Sequence, residues 1–228
     1  MKGREEALEN VIEAFDRSAG TYEDWYRTPM GRYVLRAEVK GLEALLPREG
    51  VGVEIGSGTG IFAELLTGER RKILCVDPSA EMALRSKGKG LPTILGVAEE
   101  PPLKHRSMDF IYLVTVIEFL LDPEEALSSL RSLLKPGAPL VLLAINRKSP
   151  WGRAYMEAGK RRDSIFRYAR FYTPEEASTP LRKAGYRIAE VLMALDVPPN
   201  GTPSGEPKLY APEELRDAGV FLIKGIPS

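Results

Sequence analysis

Val51-Gly52-Val53-Glu54-Ile55-Gly56-Ser57-Gly58-Thr59-Gly60-Ile61-Phe62 is the stretch on which the fold turns. An apolar run rich in β-branched residues reaches three glycines separated by single residues. Ile61-Phe62-Ala63-Glu64-Leu65-Leu66 follows at once, with its apolar positions at helical spacing. The pattern reads as strand, tight turn, helix. Glycine supplies backbone angles that a side chain forbids, and it lets a ligand lie against bare main chain. A helix start adds unpaired N–H groups, a favourable environment for polar or anionic ligand groups. The alternative is a turn that serves only tight packing of strand against helix.

The next strand bears on that choice. Lys72-Ile73-Leu74-Cys75-Val76-Asp77 is a second apolar run, and it ends in an acid. An acid about twenty residues beyond such a turn accepts hydrogen bonds from ribose hydroxyls in dinucleotide-binding folds. A carboxylate suits a vicinal diol because it offers several lone-pair sites and no donor. The nicotinamide fingerprint itself is missed, since Ile61 stands where its last glycine belongs, and Glu54 is gained two residues ahead of the first glycine.

With that pattern the chain resembles the class I S-adenosylmethionine-dependent methyltransferases, in the branch similar to the ubiquinone/menaquinone biosynthesis C-methyltransferases. Matching segments follow in the family's order: Val53–Phe62, Ile73–Met82, Gly96–Leu103, Ser107–Leu120 and Leu134–Leu143. Phe15, Asp16, Ala19, Tyr22, Trp25, Thr28, Pro29 and Gly31 extend the likeness toward the N-terminus, so it runs from about residue 10 to residue 186. The resemblance implies S-adenosylmethionine as cofactor, S-adenosylhomocysteine as product and no metal. It also implies cofactor contacts from Glu54, Gly56, Ser57, Gly58 and Gly60, and from Asp77, Pro78 and Met82. Further contacts follow at Ala98 and Glu99 around adenine and at Val114 and Thr115. Many relatives carry Asp where this chain has Val97, so the carboxylate role there passes to Glu99 or is lost. In the family the N-terminal segment forms a lid, which would put Tyr22 near the methionine end of the ligand, with Trp25 and Arg32 nearby; plain packing of those helices is the alternative. Glu118 lies where relatives place a polar residue, commonly histidine, beside the transferred methyl group. Solvation at the surface or core edge is its other reading.

The rest of the chain fits one domain. Apolar strands at 51–55, 72–77, 93–97, 109–114 and 139–145 alternate with helices at 60–67, 79–87 and 123–134. That alternation predicts a doubly wound, mostly parallel α/β sheet covered on both faces. Strands at 186–197 and 219–226 bring the sheet to seven, the last antiparallel by family analogy. The expected organisation is an N-terminal helical lid over 1–48, a cofactor-binding core over 49–146, a substrate cap over 147–172 and a C-terminal helix and strand pair over 173–228. The loop 198–207, rich in Pro and Gly, is expected to border the substrate pocket.

Composition excludes several classes. With 43% hydrophobic and 28% charged residues the chain is an ordinary globular one. Thirty-two basic residues balance thirty-two acidic ones, so no global charge calls for a polyanion. No apolar run reaches membrane-span length and the charged start is unlike a signal peptide, so a cytoplasmic protein, monomer or homodimer, is expected. Cys75, the single cysteine, sits in an apolar strand and reads as a core thiol. Glutamine is absent and asparagine limited to Asn10, Asn146 and Asn200, a depletion that suggests a thermophilic source. His105, the one histidine, lies in a polar turn rather than in a matched motif.

Eight Lys/Arg crowd 146–172 together with Trp151, Tyr155, Phe166, Tyr168, Phe171 and Tyr172. Such a cap suits an anionic or aromatic acceptor, or RNA; otherwise the charges form a solvated face and the aromatics pack inward. Methyl transfer from a sulfonium is an in-line displacement with a good leaving group, so alignment and water exclusion matter more than an obligatory catalytic side chain. Glu118, Tyr22, Tyr155 and Tyr172 are candidates for acceptor alignment. The preferred function is a methyltransferase acting on a small molecule. An RNA or protein methyltransferase, or a protein that binds an S-adenosyl nucleoside without transfer, is the alternative.

Overall fold

Two runs, Phe110–Val114 and Leu140–Ile145, have every residue buried and pair side by side as parallel strands. They are the centre of a computed structural model that describes residues 2–228. Around them the chain runs α1 (Lys2–Ser18), a short 3₁₀ turn (Tyr22–Arg27), α2 (Pro29–Leu45), β1 (Gly50–Ile55), α3 (Ile61–Leu66), β2 (Arg71–Asp77) and α4 (Ala80–Gly88). Then come β3 (Thr93–Leu95), β4 (Phe110–Val114), α5 (Pro123–Leu133), β5 (Leu140–Ile145), α6 (Pro150–Ala158), α7 (Pro174–Lys183), β6 (Tyr186–Ala194), β7 (Leu209–Tyr210) and β8 (Val220–Pro227).

The sheet order is β3-β2-β1-β4-β5-β8-β6-β7. β1 to β5 are parallel, and β8 is antiparallel to both β5 and β6. The seven expected strands are therefore present with the last one reversed. The two-residue β7 makes an eighth at the edge, pairing Met193 with Tyr210. It was missed because two residues carry no periodicity.

Alternation along the central strands sorts the core into two layers. Ile111, Leu113, Leu140, Leu142 and Ala144 face α5 and α7, whereas Phe110, Tyr112, Val114, Val141, Leu143 and Ile145 face α2, α3 and α6. Each fully buried leucine among them contributes roughly 1.5–3 kcal/mol of transfer free energy. α2 starts at Thr28, whose hydroxyl accepts from Gly31 N, with Pro29 in the first turn. It then crosses the β5, β8 and β6 side of the sheet, where Tyr33 Oη donates to Asp196 Oδ1 at 2.9 Å. α7 begins with a full capping box between Thr173 and Glu176.

Between β1 and β4 the strand order reverses, which leaves a crevice at the carboxyl ends of the strands.

Candidate active site

The turn after β1 closes with Gly56, Gly58 and Gly60 all at positive φ, the region that a side chain disfavours. Gly58 is also the open one. A Cβ there would meet nothing nearer than Met82 Sδ at 4.0 Å, so the main chain faces free space. Asp77, at the end of β2, reaches back across this turn. Its Oδ2 accepts from Gly58 N at 2.6 Å and its Oδ1 from Ser79 N at 2.9 Å. Burial pushes the Asp77 carboxyl up to about 6, against the pull of those two amides. Ser79 Oγ in turn donates to Asp16 Oδ1 at 2.5 Å, which fastens α1 to the start of α4.

Gly56, Gly58, Asp77, Pro78 and Met82 line one half of a cavity of about 340 Å³, within the size range of small-molecule sites. Ala98 and Glu99 close its far side, and Leu8, Val11, Ile12 and Phe15 of α1 cover it. Glu99 is half-buried, and its carboxyl is shifted upward chiefly by burial. This half fits a nucleoside. It has a carboxylate with spare lone pairs, a bare glycine amide edge, and a buried Ala98 beside a carboxylate at the opposite end.

The cavity continues past Thr115 and over the ends of β4, β5 and β8, where the wall becomes aromatic. Tyr22, Trp25 and Tyr26 come from the 3₁₀ turn, Trp151 and Tyr155 from α6, and Phe166 from the segment after it. Tyr155 and Phe166 stand 4.3 Å apart between ring centroids, and Trp25 meets Trp151 edge-on at 6.1 Å. Trp151 Nε1 donates to Val197 O at 2.7 Å.

Several expected residues lie elsewhere. Glu54 does not line the cavity; it is buried behind the turn, where its Oε2 accepts from Tyr112 Oη at 3.0 Å and burial pushes its carboxyl up to about 8. Ser57 and Gly60 belong to the turn but not to the cavity wall. Glu118 is buried beneath the end of β5, its Oε1 accepting from Ile145 N at 2.8 Å while Oε2 has no partner. Tyr172 packs on the α5 and α7 side of the sheet, away from the cavity. The loop 198–207 does not border the cavity either. It lies along α2, where Arg36 Nη1 pairs with Glu206 Oε1 and Lys40 Nζ donates to Pro207 O. The eight basic residues of 146–172 all point outward and are exposed, so the inward-packing aromatics, not the charges, shape the site.

Of the lining residues that the sequence does not mark for the site, two stand out. Glu38 of α2 lines the aromatic half, is only 4% exposed, and its Oε2 has no hydrogen-bond partner. The signal for it exists: Val34, Ala37, Gly41, Leu42 and Leu45 form the buried stripe of α2, and Glu38 interrupts that stripe. Leu195 is the other. It and Thr115 are cavity residues with positive φ, 69° and 52°, a strained backbone that no sequence pattern announces. Among the described residues no cluster of His, Cys, Asp or Glu is arranged to hold a metal ion, and no helix is long and apolar enough to cross a membrane.

Comparison with known proteins agrees with this geometry. A family model described as methyltransferase domain matches residues 25–191. The crystal structure of an S-adenosylmethionine-dependent methyltransferase from Thermotoga maritima, a possible histamine N-methyltransferase, superposes with a TM-score of 0.84 at 33% identity, covering 96% of this chain and all of that one. An uncharacterized protein of Mycobacterium tuberculosis is 33% identical over 191 residues, which is 82% of this chain but 64% of the relative's length. A ubiquinone/menaquinone biosynthesis C-methyltransferase of Rubrivivax gelatinosus is 30% identical over 106 residues, 45% of this chain and 42% of that enzyme. The chain belongs to the methyltransferase domain family, as a class I S-adenosylmethionine-dependent member similar to the enzymes of ubiquinone biosynthesis.

Proposed function

We propose that this protein transfers the methyl group of S-adenosylmethionine to a small molecule held in the aromatic half of the cavity. The observation that carries the reading is the continuity of one cavity from the Gly58–Asp77 corner to the aromatic wall. A cofactor at the first and an acceptor at the second would meet near Thr115. Asp77 would accept from the ribose hydroxyls, Glu99 from the adenine amine, and the main chain of Gly56 and Gly58 would lie along the ligand. Pro78 and Met82 would pack against it, with Ala98 and Val114 completing the wall. Tyr22 and Trp25, with α1 and α2 on either side of them, would cover both ligands and exclude water. A small acceptor suits a site walled by α1, the 3₁₀ turn and α6, and the description of the Thermotoga neighbour as a possible histamine N-methyltransferase supports the same class.

Calorimetric titration with S-adenosylhomocysteine, followed by transfer of labelled methyl from S-adenosylmethionine into a small-molecule extract, tests this. Micromolar binding and label in a low-mass product are expected. Absence of binding would sink the cofactor assignment, and label appearing only in added RNA or protein would sink the small-molecule acceptor.

A further inference from the structure

The charges on the cavity wall are one-sided. Among the described residues its only charged side chains are the carboxylates of Glu38, Asp77 and Glu99, with no Lys, Arg or His. Asp77 and Glu99 lie in the half assigned to the nucleoside, which leaves Glu38 alone in the aromatic half. Its position is an expensive one. The side chain is buried, Oε2 has no partner, and the neighbouring Glu118, also buried with an unpartnered Oε2, adds negative potential rather than relieving it. Burial first, and then Glu118, pushes the Glu38 carboxyl up to about 8. Tyr22, Tyr26 and Tyr155 line the same cavity wall as Glu38, and burial, followed by a charge on Glu38, pushes all three of their hydroxyls up.

We infer that Glu38 is the anchor for a cationic amine acceptor, its carboxylate pairing with the ammonium while the rings of Tyr22, Tyr26 and Tyr155 surround the cation. This deepens the proposed function and rests on it. A carboxylate in an aromatic enclosure recognises an organic ammonium doubly, by a charge-assisted hydrogen bond and by the ring quadrupoles. In the free protein burial keeps Glu38 protonated below about pH 8. A bound ammonium holds the carboxylate ionised, whereas an anionic acceptor makes ionisation costlier still and finds no cation on the wall. The wall thereby replaces the anionic acceptor that the basic surface of 146–172 suggested. The chemistry balances. The ammonium gives a proton to the Glu38 carboxylate, and the freed nitrogen lone pair forms a bond to the methyl carbon. The carbon–sulfur bond breaks with its electron pair left on sulfur, and the N-methylammonium product carries the positive charge that the sulfonium lost. The proton on Glu38 then passes to solvent.

The test uses three probes of matched shape: phenethylamine, 2-phenylethanol and phenylacetate. Each is titrated calorimetrically into wild type and Glu38→Gln, with and without saturating S-adenosylhomocysteine, and S-adenosylhomocysteine is titrated into both proteins. The amine is expected to bind wild type at least tenfold more tightly than the alcohol or the acid. Glu38→Gln should abolish that preference while changing S-adenosylhomocysteine affinity less than twofold. Equal binding of amine and alcohol, or preference for the acid, would overturn the inference. So would a variant that keeps the preference for the amine, or one that loses the nucleoside instead, which would make Glu38 part of the cofactor site. Should the variant fail to fold, the ranking of the three probes on wild type decides alone. Failure of the nucleoside to bind wild type would strike the cofactor assignment, and the titrations without it would still read the amine preference.

Discussion

Asp77 Oδ2 accepts a hydrogen bond from the Gly58 amide at 2.6 Å, which ties the end of β2 to the glycine turn after β1. One carboxylate thus shapes the turn and retains lone pairs for a ligand. Asp77→Ala removes both and is expected to weaken S-adenosylhomocysteine binding by tenfold or more, about 1.4 kcal/mol. Asp77→Asn keeps the shape without the charge: its one oxygen can accept from Gly58 N or from Ser79 N, its NH2 faces the other amide, and a diol is held less well. Calorimetry should place it between Ala and wild type, and an Asn variant with wild-type affinity would show that the carboxylate has no part in the ligand.

The same group gives a pH dependence. Burial holds the Asp77 carboxyl near 6, and a ligand diol is better accepted by the ionised form. Affinity for S-adenosylhomocysteine is therefore expected to fall as pH drops from 7 through 6 and to level off where Asp77 is protonated. In Asp77→Asn the profile should flatten across that window. Titrations at several pH values check this, and an unchanged slope in the variant would assign the titration to another group.

Trp25 and Trp151 are the chain's two tryptophans, and both line the cavity, 6.1 Å apart. Tryptophan fluorescence, excited selectively over the tyrosines, consequently reports on this site alone. Occupancy of the cavity is expected to change the emission saturably, and the change in Trp25→Phe should be that of Trp151 only. Ligand binding seen by calorimetry with no optical change in either protein would place the ligand elsewhere.

The cofactor half was legible because its signals are local. Three glycines with single-residue spacing, an acid ending the next strand and apolar strands alternating with helices are each readable along the chain, and their meeting at the strand ends follows from topology. The acceptor half was not, because it is assembled from α2, the 3₁₀ turn, α6 and the segment after α6, which only tertiary packing brings together. Glu38 sits in a helix rich in charged residues, and Arg32, Arg36 and Lys40 mask its inward direction. Glu118 was expected at the acceptor for its place after β4, yet the β5 amide of Ile145 takes its carboxylate instead. For the loop 198–207, composition predicted irregular structure correctly but said nothing of which surface it would cover.

Thr173 illustrates a sequence signal that converts directly into stability. Its hydroxyl accepts from Glu176 N, and the Glu176 carboxylate accepts from Thr173 N at 2.8 Å. Thr173→Ala should cost about 1 kcal/mol, a fall in Tm of roughly 2–4 °C for a chain of this size. α7 packs on the face opposite Glu38, so affinity for S-adenosylhomocysteine should not change. A thermal melt checks the first expectation and calorimetry the second.

Three buried glutamates, Glu38, Glu54 and Glu118, are all held above the ordinary carboxyl value, at about 8, 8 and 7, by burial first in each case. Each therefore keeps a proton in the folded state that the unfolded chain releases near 4.5. Where the folded protein binds more protons than the unfolded one, stability falls as pH rises. The contribution of these groups is complete below about pH 4.5 and is lost as pH climbs through 7 and 8. In the absence of ligand, Tm is expected to decline between pH 6 and pH 9. Glu38→Gln supplies a neutral side chain of the same shape, so it should be close to neutral near pH 5 and stabilising at pH 9 by upward of about 1 kcal/mol. Melts of wild type and variant across that range measure both slopes. A variant whose Tm parallels wild type at every pH would show that Glu38 does not carry a retained proton, and its side chain would then have to be ionised and partnered in the folded protein.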